Sequence, residues 1–147
     1  MKILKVREVK TPSRAHSNDA GIDLFIPEDF LSQVLNPGQS VLIPSGIKAR
    51  VPEGYALIAF NKSGIAAKKN LIVGACVIDE SYQGEIHIDI KNVGTFPQVV
   101  NPGDKIIQLL CVPMNYVPVE LVDNEDELFA DMLSNRGDGG FGSTGTK

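Results

Sequence analysis

An all-β domain of the sandwich, barrel or jelly-roll kind is predicted by three observations. Short stretches rich in Val, Ile and Leu recur along the chain, Gly and Pro punctuate the gaps, and one stretch alternates polar and apolar residues without a break. The stretches are 3–9, 40–51, 55–60, 85–93, 105–112 and 117–122. Turn signals stand at Asn36-Pro37-Gly38, Pro52-Glu53-Gly54 and Asn101-Pro102-Gly103. The alternating stretch sends Glu85, His87 and Asp89 to one face and Ile86, Ile88 and Ile90 to the other, as a half-buried strand requires. Helical signals are few. Ser63-Gly64 could open one short helix over 63–70. Residues 123–133 offer an Asp or Asn cap, acids in the first turn, and the i,i+4 pairs Leu128/Met132 and Phe129/Leu133.

At 147 residues the chain has the length of one ordinary domain, enough to bury a real core. The expected organisation is one body over 1–135, with a helical insertion at 123–133, followed by a flexible glycine-rich arm at 136–147. A hydrophobic share of 43% argues against general disorder. No apolar run approaches the ~20 residues that span a bilayer, and the charged N-terminus has no signal-peptide core. A cytoplasmic location is expected, or the host cytoplasm if the source is viral. Net charge of −4 without a basic run disfavours nucleic acid as a partner. Two cysteines, Cys76 and Cys111, are too few for a disulfide framework and read as buried thiols.

Five stretches carry candidate chemistry. In the tail, "RGDGGFGSTG" combines Arg136 with glycines that let backbone N–H groups approach an anion, followed by Ser143 and Thr144. Phe141, an aromatic ring on such a segment, gains most by covering a flat base. The bland alternative is a disordered terminus, and a true phosphate-binding GxxxxGK[ST] loop is absent. "GACVIDESYQGEIHI" (74–88) reads as a hairpin in which Asp79 could polarise water as a general base and Tyr82 could pack on a sugar. Asp79 could equally just begin the turn. "NKSGIA" places Lys62, Ser63 and Gly64 at a short helix start, a combination that suits phosphate or merely caps the helix. Asp19 and Asp23 flank Gly21 in a loop that becomes a strand. They could face metal-bound waters or form turns. In "NPGDKIIQLL", Gln108 is the one polar side chain inside an apolar strand and needs a hydrogen-bond partner, from ligand or protein. The acids of 123–133 lack the spacing of a calcium loop.

Each signal alone is weak, but their set and order are specific. "DAGIDL", "NKSGIA", "GACVIDESYQGEI", "NPGDKIIQL" and "RGDGGFGSTG" resemble the five ordered motifs of the trimeric deoxyuridine triphosphatases (dUTPases), from about residue 16 to residue 145. The resemblance implies a jelly-roll subunit of the dUTPase β-clip type in a homotrimer. Active sites would lie between subunits, each closed by the C-terminal arm of another. It implies hydrolysis of dUTP to dUMP and pyrophosphate with Mg²⁺, which supplies dUMP for thymidylate synthesis and keeps uracil out of DNA. Carried over by residue, Asp79 orients the water that attacks the α-phosphorus. Tyr82 lies under the deoxyribose and leaves no room for a 2′-hydroxyl. The hairpin from Cys76 to His87 binds uracil through backbone groups and excludes the thymine methyl. Lys62, Ser63, Gly64 and Gln108 contact phosphates, and Asp23 lies near the metal through a water. Arg136, Ser143 and Thr144 grip the β- and γ-phosphates, Phe141 stacks on the base, and Gly142 completes the substrate-binding set.

Three departures from the pattern stand out. Lys62 occupies a position where the family usually has Arg, so a point charge replaces a bidentate fork. Cys76 replaces a frequent Gly in the base segment. Residues 123–135 exceed a minimal linker and could serve a protein partner. The competing readings are a dCTP deaminase on the same fold, a non-catalytic nucleotide-gated binding or signalling protein, and a structural jelly roll.

Overall fold

The computed structural model describes residues 1–140. The chain divides into two units, Met1–Tyr116 and Val117–Lys147. In the first, β2 (Ile22–Phe25), β11 (Lys105–Pro113), β6 (Tyr55–Asn61) and β8 (Val77–Ile78) lie side by side in an antiparallel sheet. A second antiparallel sheet is built from β4 (Ser40–Pro44), β9 (His87–Asn92) and β7 (Leu71–Val73). Two further pairs are β1 (Lys2–Lys5) with β5 (Ile47–Arg50) and β3 (Gln33–Leu35) with β10 (Gln98–Val100). The all-β expectation therefore holds.

The alternation read in 85–90 is realised: Ile86, Ile88 and Ile90 are fully buried. They join Leu24, Ile43, Leu57, Leu71 and Ile107 in one aliphatic cluster. Each such side chain contributes roughly 1.5–3 kcal/mol on leaving water. Asn92 is one of three buried polar residues among those described, with Asp23 and Ser45. Its Nδ2 donates to the carbonyls of Leu35 (2.8 Å) and Phe96 (2.9 Å), and its Oδ1 accepts from Gly94 N (2.9 Å), so burial leaves nothing unpaired. The two Asn-Pro-Gly turns end on Gly38 and Gly103 at φ of 82° and 75°. That is the left-handed backbone a type II turn needs at its third residue, which explains glycine there. The long stretch 40–51 is broken at Ser45-Gly46 into β4 and β5, which serve different sheets.

Helix α1 (Ser63–Lys69) fills the segment expected to be helical, and Asn70 ends it in the left-handed region at φ 50°. In the second unit, α2 is a single turn, Glu125–Leu128, within the 123–133 stretch. The Asn124 side chain caps it by accepting from Glu127 N at 2.8 Å.

Two expectations are corrected. Residues 117–122 form no strand. Pro118 has no N–H to give a ladder, and Val119 and Leu121 are 100% and 94% exposed, so no neighbouring strand packs on them. The hairpin read over 74–88 is not a two-stranded ladder either. β8 pairs with β6, while β9 pairs with β4 and β7, so the turn between them crosses from one sheet to the other.

Candidate active site

The crossover gives the turn its shape. Tyr82 N donates to Asp79 O (3.1 Å), closing a turn directly after β8. Tyr82 Oη donates to Glu85 O (2.9 Å), which lays the ring back across the turn. His87 Nδ1 lies 2.9 Å from the same carbonyl. An oxygen that can only accept requires a proton on Nδ1. Glu85 is in turn anchored at Oε1 by Arg7 Nε (2.9 Å) and Gly46 N (2.7 Å). On the other side, Glu80 Oε2 accepts from Gly54 N (2.7 Å) and Tyr116 Oη (3.0 Å). The Glu80 carboxylate raises the Tyr116 phenol above its ordinary value, mainly by accepting its hydrogen bond.

Inside this frame, Cys76, Asp79, Tyr82 and His87 line one concavity of about 260 Å³, with Leu42 and Ala75 on its wall. Four of the residues singled out from sequence thus converge. The volume falls just below the ~300–1,000 Å³ of sites that enclose a drug-sized ligand, so it suits a base and sugar better than a whole nucleoside triphosphate. A larger hollow of about 410 Å³ lies beyond the same turn, along β1 and β5, and gathers none of the other candidates.

A second cluster forms where β2, β11 and the end of β6 meet. Asp23, on β2, is buried, and its carboxylate is bonded by Lys62 Nζ at one oxygen and by Lys105 Nζ (3.0 Å) at the other. Burial pushes the Asp23 carboxyl up, but the hydrogen bonds and charges of the two lysines outweigh it, and it sits below the usual carboxylate range. The sign follows. A depressed carboxyl adds stability above its unfolded value of about 3.9, and that stability drains away as pH falls through the folded value. The stability difference between wild type and Asp23→Asn, measured by urea unfolding, is therefore expected to be constant near neutrality and to shrink below about pH 3.9. A difference unchanged down to acid pH would contradict the pairing.

Gln108 lies opposite Asp23 in the β2–β11 ladder. Its Nε2 donates to Asn61 O (2.9 Å), so the partner its sequence context demanded is protein backbone. Gly21 packs against this side chain: a methyl there would collide with the Gln108 amide, whose Cδ lies 2.7 Å away. Gly21→Ala is expected to push the Gln108 amide off Asn61 and to cost the worth of that hydrogen bond, roughly 0.5–1.5 kcal/mol, measurable by chemical denaturation. Ser63 and Gly64 are exposed at the start of α1, with open space beside Gly64.

Among the described residues, no hydrogen bond or ion pair joins the Asp79 concavity to the Asp23 cluster. Arg136, in the second unit, donates from Nε to Gly139 O (2.6 Å), within a turn closed by Gly139 N to Arg136 O (3.1 Å). Phe141, Gly142, Ser143 and Thr144 lie outside the described residues.

Sequence reasoning missed Lys105, Glu80, Glu85 and Asp89. Each looked like the polar face of a strand or turn. Lys105 pairs with a residue 82 positions away, a relation no local spacing reveals.

Residues 7–145 match the sequence family described as dUTPase. The chain belongs to the dUTPase family. It is 40% identical over 147 residues to the deoxyuridine 5′-triphosphate nucleotidohydrolase of Clostridium tetani, covering 99% of this chain and 94% of that protein. To the enzyme of the same name from Mycolicibacterium vanbaalenii it is 37% identical over 143 residues, covering 95% and 90%. Among solved structures it resembles the Staphylococcus bacteriophage 80alpha dUTPase with dUPNHPP, with a TM-score of 0.84, 25% identity, and 98% and 97% of the two chains covered. It also resembles a mutant dUTPase of phage phi11 of S. aureus, a structure described as revealing coordination of a structural Mg(II) ion. That TM-score is 0.75, with 26% identity and 85% and 97% coverage. The jelly-roll-like dUTPase subunit expected from the motifs is thus the fold of this chain. Neither the deaminase nor the non-catalytic reading is favoured by these likenesses.

Proposed function

We infer that this chain hydrolyses dUTP to dUMP and pyrophosphate. One observation carries the reading: in a chain of the dUTPase family, Asp79, Tyr82, Cys76 and His87 converge on one concavity. Uracil lies against the 76–87 segment, and Tyr82 lies beneath the deoxyribose. The Asp79 carboxylate orients a water and holds its proton as the water oxygen bonds to the α-phosphorus. The bridging bond to the β-phosphate breaks, and pyrophosphate leaves with the electron pair. Such a substitution depends on in-line placement and charge stabilisation more than on a special nucleophile. Lys62, Ser63, Gly64 and Gln108 supply donors to the phosphates. Arg136, Ser143 and Thr144 grip the β- and γ-phosphates, and Phe141, next to Gly142, covers the base.

Mg²⁺ is the proposed cofactor. Among the described residues no three candidate ligands lie together. Asp23 is a single carboxylate already shared by two lysines. That donor set would suit a magnesium ion bound mainly through its own waters and substrate phosphates, with Asp23 as the residue that would hold one of those waters. When bound, Mg²⁺ supplies positive charge to the phosphate oxygens.

A homotrimer with active sites between subunits is proposed, on the membership of the chain in the dUTPase family. A solution mass of three subunits supports this, and a monomer that is fully active contradicts it. No helix among the described residues is long and apolar enough to cross a membrane. A cytoplasmic location is proposed, and 123–135 is the stretch proposed for any protein partner.

The function is tested by pyrophosphate release from dUTP, dCTP, dTTP and UTP. Release from dUTP alone is expected. Ammonia release from dCTP would indicate the deaminase, and binding without turnover the nucleotide-gated protein.

A further inference from the structure

One carboxylate stands where the chain changes sheets. β7 runs along β9 from the Leu71–Asn92 pair to the Val73–Ile90 pair. A backbone bond from Gly74 N to Asp89 O (3.0 Å) carries the ladder one residue further. There the ladder stops. Ala75 N donates to the Asp89 side chain, at Oδ2 (2.9 Å). The carboxylate takes the place of a ladder partner for this exposed amide and ties the departing backbone to β9. One residue later Cys76 O accepts from Ala59 N (2.7 Å), and the chain has reached β6 in the other sheet.

Gly74 makes this clamp possible. A methyl there would stand 2.6 Å from Asp89 Cγ, so the residue is glycine for room. Ala75 and Cys76, just past the clamp, form part of the wall of the Asp79 concavity, and so does Leu42, which faces Asp89 across the β4–β9 ladder. Movement of the Ala75 backbone therefore moves the wall on which uracil is proposed to rest.

We propose that Asp89 is a positioning residue for base recognition. By holding Ala75 N, it fixes the 74–76 turn and with it the width of the base pocket and the exclusion of a 5-methyl group. This inference rests on the uracil site proposed above. Asp89 does not line the Asp79 concavity; it acts through the backbone it holds. In sequence it reads as the solvated face of a strand, beside His87.

Pyrophosphate release from dUTP and dTTP, with a melting curve for each protein, tests the role in wild type, Asp89→Asn, Asp89→Ala and Gly74→Ala. Asn retains an oxygen that can accept from Ala75 N, so Asp89→Asn keeps the wild-type KM and the wild-type preference for dUTP over dTTP. Asp89→Ala raises KM for dUTP by about tenfold, the loss of roughly one hydrogen bond, with kcat little changed. Its preference for dUTP over dTTP in kcat/KM falls. Gly74→Ala drives the carboxylate aside without removing it and reproduces both changes, which decides the matter if Asp89→Ala does not fold. Unchanged KM and preference in the Ala variants overturn the proposal. So does an equal loss in Asp89→Asn, or a fall in kcat and melting temperature with the preference intact. A wild type that releases no pyrophosphate from dUTP overturns the underlying reaction instead.

Discussion

Asp79→Asn is expected to lower turnover of dUTP by about 10²–10⁴-fold, the usual contribution of a positioned general base, while leaving dUTP affinity nearly unchanged. The split follows from the geometry. The Asp79 backbone carbonyl accepts from Tyr82 N, and that bond survives the substitution, so the turn carrying Tyr82 stays in place. Asn matches Asp in shape but is neutral, so it cannot hold the proton of an attacking water. Single-turnover kinetics together with equilibrium binding of dUTP separate the two effects. Wild-type-like turnover would remove Asp79 from the role of base, and a parallel collapse of affinity would mean that the residue holds substrate instead.

Deletion of residues 136–147 is expected to reduce hydrolysis by on the order of a hundredfold or more without unfolding the body, because loss of substrate enclosure and alignment is costly even when the reacting groups remain. The body is expected to survive because, among the described residues, every buried member of the aliphatic cluster lies between Val9 and Leu109. The truncated protein should therefore keep the cooperative melting of the full chain. Full activity after truncation would show that the segment contributes nothing to catalysis. Loss of folding would show that it contributes to stability rather than to the site.

Local physics made much of the fold legible. The period of two in 85–90 foretold which isoleucines enter the core, and Asn-Pro-Gly foretold the turns at Gly38 and Gly103. Ser63-Gly64 foretold where α1 begins. Strands of three residues such as β7 and β10 escaped notice, because so short a run carries no period. The crossover at 79–86 escaped for a different reason. Pairing partners are chosen across the whole chain, and two strands joined by a polar turn look alike in sequence whether they pair with each other or part. Residues 117–122 show the reverse error, since β-branched composition supplies no ladder by itself.

The candidate site divides in the same way. Motif order alone singles out Asp23, Lys62, Cys76, Asp79, Tyr82, His87 and Gln108. The partners that hold the site lie elsewhere in the chain: Lys105 on Asp23 is 82 positions away, Arg7 on Glu85 is 78, and Asp89 on Ala75 is 14. Replacement of the usual Arg by Lys62 also gains a local context. A single ammonium suffices to reach one oxygen of Asp23 while Lys105 takes the other.

Hydrolysis of dUTP in ¹⁸O-enriched water, with both products weighed by mass spectrometry, shows which phosphorus the water attacks. Water attack on the α-phosphorus predicts one heavy oxygen in dUMP and none in pyrophosphate. Heavy oxygen in the pyrophosphate, or no cleavage of dUTP at all, would contradict it.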